Sequence, residues 1–510
     1  MDRRTFVKGA ALGVGAAAVG ASKANANLVN LVLPSLGLES RRARTPVQHL
    51  VVVMMENRST DHYLGWYGTE NLHFDGRQDA SYRDLREGAD GPLLATEDWG
   101  AAGRHNYHGR GFADPDHGWN NGRLVRNGGA LDGWLHPATG NDEFTLSTYE
   151  PDDIPVWAQL TRGWQTYDRW HCSLLGPTQP NRYYLYSCQS GGIKNNSLPP
   201  EHHETHPEWA LGWDWQTLWG LCERHGVTSR YYFSNLPETA FWGTRHVHQT
   251  SHVAEYFAAC ATGTLPQVSI IDPWFTGPSG LANDDHPHAD IRLGQAFLSD
   301  IVEAFTSSKH YTEGALVVTY DESGGFWDHV DPPRVGDDRG TPSDPGGLDD
   351  FSQVGFRVPS TIVSPWTKGD RVDHTTYEHA SIGRFVAENW GLPYLTQRQR
   401  STNSIEGAFR RFRRFDADPD FTRYGLDLLL RLELLLEANL DHLAAGGEPP
   451  VLPISLPVAV PAIPPSDLHR LAETGWFDGL GFDLDQRFED GFLRPSDIRA
   501  VLRAVPALAG

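Results

Sequence analysis

Four separated segments of this chain are rich in the types of side chain that can bind metal ions and phosphate groups. They are residues 56–59 (ENRS), 176–182 (GPTQPNR), 284–287 (DDHP) and 321–329 (DESGGFWDH). Two of the segments directly follow apolar runs of strand length. Carboxylates, a carboxamide, a hydroxyl and imidazoles brought together at strand ends predict a metal-assisted phosphate site.

Two pairs of oxygen ligands stand directly after predicted strands. Glu56 and Asn57 follow the run HLVVVMM, and Asp321 and Glu322 follow the run ALVVTY. Such oxygens suit Mg²⁺, Ca²⁺ or Mn²⁺, and carboxylates also serve zinc. Ordinary solvated acids at strand ends explain either pair alone about as well. The two pairs together predict a divalent-metal site, with the identity of the metal left open.

The position of Thr178 in the sequence has two interpretations. Pro180 is a good first-turn residue, so Thr178 is expected near the N-terminus of a helix that runs through Tyr184. The N–H groups at such a terminus attract phosphate, and metal coordination can turn the hydroxyl into a nucleophile. Asn181 and Arg182 would then hold the phosphoryl oxygens. Taken alone, the motif favours a simple threonine N-cap.

Three histidines lie in or near these segments: His286 in the DDHP loop, His329 after Asp328, and His117 in the run DPDHGW. Histidine can donate to a phosphate oxygen or protonate a leaving alkoxide near neutral pH. Because the chain has 23 histidines, any one of them alone is more often a surface or core residue. Their catalytic role therefore depends on the fold bringing them to the other segments.

Apolar runs without alternation predict strands that are buried on both faces, as in a parallel sheet. The runs are residues 49–55, 268–271, 315–320 and 361–363, and amphipathic stretches at 213–225, 291–305 and 381–390 predict helices. Strands interleaved with helices predict an α/β fold with a doubly wound, mostly parallel sheet. Ligands bind beyond the carboxyl ends of such strands, where Glu56, Asp272, Asp321 and Ser364 are expected.

The composition limits the partners. The 43 Lys and Arg against 65 Asp and Glu give a net charge of −22, which argues against a nucleic-acid partner. The four cysteines, Cys172, Cys188, Cys222 and Cys260, contain no CxxC pair. They are therefore expected either to form up to two disulfides or to remain as buried thiols.

The chain divides into three regions. Residues 2–8 (DRRTFVK) resemble a twin-arginine signal, and a short Ala/Gly run and an A-x-A site at 24–26 follow. Residues 1–26 are therefore expected to direct export, leaving a secreted, periplasmic or cell-wall-associated protein. A catalytic domain is expected over 45–414, with long loops over about 67–152, and a C-terminal extension of unknown role over 415–510.

Longer stretches of the chain resemble a known family. ENRSTDHYLGWYG, at 56–68, resembles the ENRSFDH signature of the phosphoesterase family, which contains bacterial and plant non-haemolytic phospholipases C and related acid phosphatases. GPTQPNRYYLYS, DDHPHADIRLGQAF, TYDESGGFWDHVDPP and SPWTKGDRVDHTTYEHASIGRFV resemble its further signatures in the same order. The resemblance covers about residues 45–395. It implies an alkaline-phosphatase-like α/β fold and hydrolysis of phosphate esters at a divalent-metal site.

The resemblance also implies roles for particular residues. Glu56, Asn57, Asp321 and Glu322 match the metal-site positions, Thr178 the nucleophile, and His117, His286 and His329 the phosphate-contacting or acid/base histidines. Threonine at the nucleophile position favours the phospholipases over the acid phosphatases, which typically carry serine. Thr60 departs from the family by replacing an aromatic residue, and Gly324 by standing where several bacterial phospholipases have Asp.

The expected activity is that of an exported phospholipase C. It would hydrolyse phosphatidylcholine-type phospholipids to diacylglycerol and a phosphorylated head group through a phosphothreonine intermediate. The alternative is an acid phosphatase of the same family acting on small phosphate esters. A secreted lipid-binding protein without catalysis is less favoured, since every motif position except Gly324 holds a competent residue. The 17 tryptophans could include a rim for peripheral membrane contact.

Overall fold

The computed structural model describes residues 41–197, 199, 212–275, 282–339, 350–367 and 372–409. The predicted export signal (1–26) lies outside the described residues, and so does the predicted C-terminal extension (415–510). The described part of the chain forms an α/β structure around one eight-stranded sheet, which is accompanied by two small two-stranded ribbons.

The strands follow one another along the described chain in this order: β1 His49–Met55, β2 Ser81–Arg83, β3 Leu93–Ala95, β4 Glu97–Asp98, β5 Ser147–Thr148, β6 Gln165–Tyr167, β7 Ser229–Phe233, β8 Thr250–His252, β9 Val268–Ile271, β10 Gly314–Tyr320, β11 Ser360–Val363 and β12 Val372–Asp373. The large sheet has the order β12-β6-β11-β10-β1-β9-β7-β8. The ribbons pair β2 with β3 and β4 with β5.

The centre of the sheet explains the continuous apolar runs in the sequence. Strand β1 lies between β9 and β10 and is parallel to both. Nearly every residue of β1 and all of β10 are buried, so neither strand can alternate apolar with polar residues. Met55 pairs with Tyr320, and the next residues, Glu56 and Asp321, therefore leave the sheet side by side at one edge.

The α-helices of the described residues are α1 Thr60–Leu64, α2 Tyr67–Glu70, α3 Trp119–Arg126, α4 Pro155–Gly163, α5 Thr178–Ser187, α6 Leu218–Arg224, α7 Ala254–Thr262, α8 Ile291–Ser307, α9 His379–Trp390 and α10 Gln397–Ser401. The three predicted helices correspond to α6, α8 and α9, and α6 is shorter than its pattern indicated. Helix α5 packs against α9, and α7 packs against α8. The region of predicted long loops also holds short elements, β2–β5 and α2–α3.

The predicted α/β class with a large, mostly parallel sheet is confirmed, but one strand reverses. Strand β11 runs antiparallel to both of its neighbours, β10 and β6. Ser364 therefore follows β11 at the opposite edge from Glu56, and its hydroxyl donates to the carbonyl oxygen of Gly314 at 2.7 Å. The placement of Ser364 with the strand-end acids was wrong, because an apolar run does not reveal the direction of its strand.

Two further expectations concern the described residues. All four cysteines are buried free thiols, so the disulfide alternative is not realised. Among the described residues, no helix combines the length and apolar character needed to span a bilayer.

Candidate active site

Five buried carboxylates meet at the edge where β1, β9 and β10 end. They are Glu56, Asp272, Asp284, Asp321 and Glu322, and none is more than 5 % exposed. In the parallel register β1 and β10 end level with each other and β9 ends two residues earlier, so the residues that follow all emerge at one edge. The charge of Glu56 acts on each of the other four carboxylates, which shows that Glu56 lies near all of them.

Backbone hydrogen bonds fix the geometry of this cluster. The Asn57 and Glu322 amides both donate to Asp321 Oδ1, at 3.1 and 2.7 Å. The Glu56 amide donates to the carbonyl oxygen of Asp284 at 2.7 Å, which ties the 284–287 segment to the end of β1. Asn57 has a φ of 66°, a left-handed conformation that asparagine tolerates better than most residues. The acidic groups are thus held in place by the main chain.

The cluster carries more negative charge than the nearby cations offset. Burial, reinforced by the charge of Glu56, raises the pKa of Asp284 well above its ordinary range. Burial likewise raises the pKa of Asp321 well above its ordinary range against the opposing effect of Arg182. Burial raises the pKa of Glu322 to about 7, although His117 acts in the other direction. Groups buried in this way require a partner of positive charge.

The residues fit a divalent cation. Asn57 Oδ1 and Glu322 Oε1 are both buried, and neither accepts a hydrogen bond from any described residue. A buried oxygen without a donor is costly, and a hard cation coordinated by such oxygens removes that cost. The four residues predicted as metal ligands, Glu56, Asn57, Asp321 and Glu322, therefore lie together with two of their oxygens available.

Gly324 is required next to this cluster. Its φ is +65°, and a Cβ atom there would lie 2.3 Å from the carbonyl oxygen of Asn57. The Gly324 amide donates to Glu322 Oε2 at 2.6 Å. The position therefore supports a predicted metal ligand through its main chain, in a conformation that has no room for the side chain found in several bacterial phospholipases.

We expect Gly324→Ala to lower turnover by about a hundredfold, because a displacement of about 1 Å at a reacting centre has that effect. The matched control is Gly140→Ala, since Gly140 has a φ of +72° and open space around the added Cβ. That control should lose only about 1–2 kcal/mol of unfolding free energy to backbone strain and keep its activity. Equal turnover of the two variants would contradict the crowding argument.

Thr178 is the first residue of helix α5, with Pro177 at the N-cap, so the threonine is not the cap itself. Its side chain is nearly buried, and its hydroxyl forms no hydrogen bond to another described residue in the structure. Arg182 lies one turn further on the same face and contacts Asp321. Gly176 lines the same small cavity as His117 and Ser323. Helix α5 thus begins beside the acidic cluster with an unengaged hydroxyl.

Asn181 holds the loop that precedes Thr178. Its Nδ2 donates to the carbonyl oxygens of Leu174, Gly176 and Pro177 at 2.9–3.1 Å, and its Oδ1 accepts from the Leu174 amide at 2.8 Å. The amide group is therefore engaged on both sides by the main chain. The Asn181 side chain is completely buried. Asn181 therefore positions the loop and does not make the predicted contact with phosphoryl oxygens.

Arg182 also faces the protein and not an open site. Its guanidinium bonds Asp272 at 3.0 Å and Asp321 at 3.1 Å, and it donates to the carbonyl oxygens of Met54 and Met55. All of these groups are buried at the ends of the central strands. The prediction that Arg182 contacts substrate is not matched by this geometry. Its guanidinium instead orients two carboxylates of the cluster.

His117 faces the cluster from the loop before α3. Its Nε2 lies 3.6 Å from Glu322 Oε1 and 3.5 Å from Asn57 Nδ2. Its Nδ1 donates to the carbonyl oxygen of Pro115 at 2.8 Å, which directs Nε2 towards the site. Burial lowers the pKa of His117, but Glu322 and Asp114 outweigh burial and raise it to about 9.

His286 lies beside His117, with ring centroids 6.3 Å apart. Its Nε2 is 3.8 Å from a carboxylate oxygen of Asp114, and its amide donates to Asp284 Oδ1 at 3.0 Å. His286 is partly exposed, whereas the acids below it are not. The structure therefore places two of the three predicted histidines at the mouth of the acidic cluster.

His329 is engaged elsewhere. Its Nδ1 contacts Asp61 at 2.5 Å and its Nε2 contacts Asp75 at 3.0 Å. Arg357 completes this group by bonding Asp61 and Asp328. The ring nitrogens of His329 are thus both held by carboxylates outside the Glu56 cluster. The predicted catalytic role is not matched by these contacts, which describe a structural ion network.

The structural role of His329 can be tested by measuring the unfolding free energy of His329→Gln at different pH values. Burial lowers the pKa of His329, but the hydrogen bond and charge of Asp61 outweigh it and raise the pKa above the usual value. Protonated His329 therefore stabilises the fold below the unfolded-state pKa, and this contribution is lost as pH rises through the folded-state pKa. We expect the loss of unfolding free energy in the variant to be larger at about pH 6 than at about pH 9. A pH-independent loss, or turnover that falls as far as in Thr178→Ala, would contradict the structural role.

No individual role was predicted for Asp272, Asp284 or Asp114, although Asp272 was expected at the ligand-binding edge of the sheet. Asp272 accepts hydrogen bonds from Tyr186 and Tyr231, both at 2.6 Å, besides its ion pair with Arg182. Its position directly after β9 was the available signal. Asp284 lies in a recognised segment, but its contact with Glu56 depends on a long-range backbone pairing. Asp114 faces His286 from a loop, for which the sequence offers no comparable signal.

The sequence model of the Phosphoesterase family matches residues 47–393. This chain belongs to that family, and it is a hydrolase that acts on phosphate esters. The matched range includes the acidic cluster, Thr178, His117 and His286.

Curated relatives are similar over most of the chain. Non-specific phospholipase C6 of Arabidopsis thaliana is 29% identical over 72% of this chain and 73% of its own length. Phospholipase C B of Mycobacterium tuberculosis is 27% identical over 75% of this chain and 80% of its own length. Non-hemolytic phospholipase C of Burkholderia pseudomallei is 29% identical over 68% of this chain and 56% of its own.

Solved structures show a weaker likeness. A protein of the alkaline phosphatase superfamily from Vibrio parahaemolyticus has a TM-score of 0.32 at 9% identity and covers 71% of each chain. A phosphonate monoester hydrolase of Agrobacterium radiobacter has a TM-score of 0.31 at 9% identity, covering 72% of this chain and 79% of that one.

Proposed function

We propose that this protein is a phospholipase C that cleaves phosphatidylcholine-type diesters by transferring the phosphoryl head group to Thr178. The main support for this proposal is the arrangement of groups at the start of helix α5. An unengaged threonine hydroxyl lies at a helix N-terminus beside buried oxygens that fit a divalent cation. Relatives named as phospholipases C from plants and bacteria support the substrate class.

Each of the protein's own groups has a separate role in the proposed reaction. Thr178 Oγ gives its proton to water and forms a bond to phosphorus while the bond from phosphorus to the glycerol oxygen breaks, and that oxygen leaves with a proton from His286 or His117. A water oxygen then bonds to phosphorus and returns a proton to the histidine while the bond between Thr178 and phosphorus breaks. Thr178 Oγ takes up a proton from solvent, which restores the hydroxyl and releases the phosphorylated head group. The Thr178 N–H group at the start of α5 stabilises the charge on the phosphoryl oxygens, since Gln179 donates its N–H to Asn196 Oδ1 at 2.9 Å and Pro180 has none.

The cation would be held by Glu56, Asn57, Asp321 and Glu322. When bound, it would supply Lewis-acid stabilisation of phosphoryl charge and lower the pKa of a coordinated hydroxyl. Arg182 keeps two carboxylates of the cluster in position, and Asn181 keeps the loop before Thr178 in position. Removal of divalent ions by a chelator should abolish turnover, and readdition should restore it.

The substrate assignment is tested by comparing phosphatidylcholine with p-nitrophenyl phosphate, using purified protein with and without chelator. Diacylglycerol and phosphocholine should appear from the lipid, at a rate far above hydrolysis of the monoester. Turnover of the monoester alone would identify the protein as a phosphatase of the same family. Turnover of neither substrate would favour the lipid-binding alternative.

We also propose export through the twin-arginine pathway, supported by Arg3 and Arg4 before a short Ala/Gly run. Replacing both arginines with lysine should leave the protein inside a host that has this pathway. Equal export of the variant and the unaltered chain would contradict the proposal.

A further inference from the structure

A second group of metal-binding side chains lies at the opposite edge of the central sheet. His49 is the first residue of β1, whereas Glu56 follows its last residue. His310 and Glu313 lie in the 3-10 turn Lys309–Glu313, directly before β10. The Gln48 amide donates to the carbonyl oxygen of Glu313 at 2.7 Å, which holds the turn against the start of β1. We call these three side chains the His49 cluster.

The ligand atoms of the His49 cluster are spaced for one ion. Glu313 Oε1 lies 3.8 Å from His49 Nε2 and 3.6 Å from His310 Nδ1. The imidazole rings lie 3.9 Å apart between centroids. A tetrahedral zinc ion with bonds of about 2.1 Å places its ligand atoms about 3.4 Å apart. The two distances to Glu313 are close to this value, and all three ligand atoms lie within 4.8 Å of one another.

The hydrogen bond of His49 prepares it as a ligand. His49 Nδ1 lies 3.0 Å from the carbonyl oxygen of Pro266, a group that can only accept, so Nδ1 carries the proton. Nε2 is then left with a free lone pair, and Nε2 is the atom that faces Glu313. Metal-binding histidines are typically oriented by this type of bond from the other ring nitrogen.

His310 provides an independent indication. It is 7% exposed, and neither of its ring nitrogens forms a hydrogen bond to another described residue. Such a buried polar group is costly unless another partner satisfies it. An ion on Nδ1 would be the partner of that nitrogen, the one that faces Glu313. Glu313 is half exposed, which leaves a path for the ion and room for a water molecule as fourth ligand.

A second group of side chains has suitable ligand atoms, but unlike the His49 cluster it already binds an arginine. Asp61, Asp328 and His329 also lie close enough together to share an ion. However, Arg357 already bonds both aspartates, at 3.1 and 2.9 Å. A guanidinium therefore occupies the place of a cation there. Across the parts of the chain that the structure describes, no lysine or arginine forms an ion pair with Glu313 of the His49 cluster.

We propose that His49, His310 and Glu313 bind a transition-metal ion of the zinc type, which ties the start of β1 to the turn before β10. Two imidazoles and one carboxylate favour zinc or cobalt, whereas the oxygen ligands of the phosphate site also suit harder cations. The ion would stabilise the sheet without entering the reaction. This site is independent of the proposed function.

Cobalt(II) titration of the full-length protein tests the proposal, because a tetrahedral site with histidine ligands absorbs visible light far more strongly than a six-coordinate oxygen site. We expect one intense band at one equivalent and a rise in Tm on adding zinc. His49→Gln and Glu313→Gln should each weaken cobalt binding by at least about tenfold, as is common when a metal site is disturbed. Turnover of phosphate esters should stay unchanged in Glu313→Gln.

The matched control is His248→Gln, which removes an exposed histidine paired with Glu223 at 2.7 Å, without a second histidine in that ion pair. It should keep the band and the zinc-dependent Tm of the unaltered protein. His310 is buried, whereas Glu313 is half exposed. If His310→Gln fails to fold, Glu313→Gln still tests the site. Absence of an intense band, or a band unchanged in both His49→Gln and Glu313→Gln, would overturn the proposal.

Discussion

Replacing Thr178 with alanine is expected to lower turnover by at least about a thousandfold, the scale on which loss of a catalytic nucleophile acts. The fold should survive, because the hydroxyl forms no hydrogen bond to another described residue and Pro177, not Thr178, is the N-cap of α5. Tm and the circular dichroism spectrum should therefore match those of the unaltered protein. Steady-state assays on phosphatidylcholine, beside thermal unfolding, measure both quantities.

Two variants make this result specific. Thr178→Ser keeps a hydroxyl and should retain part of the activity. Thr217→Ala removes a threonine at another helix start, where the hydroxyl accepts from the Gly220 amide as a true N-cap. That control should lose about 2 kcal/mol of unfolding free energy while keeping its turnover, because the same hydroxyl also bonds His246 Nε2 at 2.9 Å. Normal turnover by Thr178→Ala would show that another group attacks phosphorus.

The second large effect is expected from Arg182→Met. This change leaves Asp272 and Asp321 buried without their shared cation, and losing one partner of a buried ion pair costs about 3–5 kcal/mol. We therefore expect a marked fall in unfolding free energy, measured by urea denaturation. Activity should fall as well, because Asp321 loses the bond that orients it.

The control for this variant is an exposed arginine. Arg162 pairs with Glu70 at 2.6 Å, and both side chains are more than 40% exposed. Arg162→Met should cost less than about 1 kcal/mol, the usual scale for surface ion pairs. An Arg182→Met protein of normal stability with a raised KM would instead indicate that Arg182 binds the phosphate directly.

Local sequence patterns predicted the elements that carry the acidic cluster. The run from His49 to Met55 has the same bounds in the structure, and β10 begins one residue earlier than its run indicated. Parallel pairing of these strands then brings Glu56 and Asp321 together. The cluster was predictable because strand ends in a parallel sheet share one edge, and this rule needs no knowledge of side-chain contacts.

The roles of the surrounding residues depend on contacts that local patterns do not contain. Arg182 was expected to face phosphate, but its partners Asp272 and Asp321 lie 90 and 139 residues away. His329 follows the strand-end acids closely in sequence, yet its ring contacts Asp61 and Asp75, more than 250 residues earlier. Charged residues of one motif can thus serve different networks, and only the tertiary structure separates them.

Transfer of the phosphoryl group to Thr178 and then to water requires two successive displacements at one phosphorus atom. The most direct test uses a phosphatidylcholine analogue that is chiral at phosphorus and follows the configuration of the released head-group phosphate. Each in-line displacement inverts the configuration, so attack by Thr178 followed by water predicts net retention. Net inversion would show that water attacks the lipid directly, and it would contradict a covalent role for Thr178.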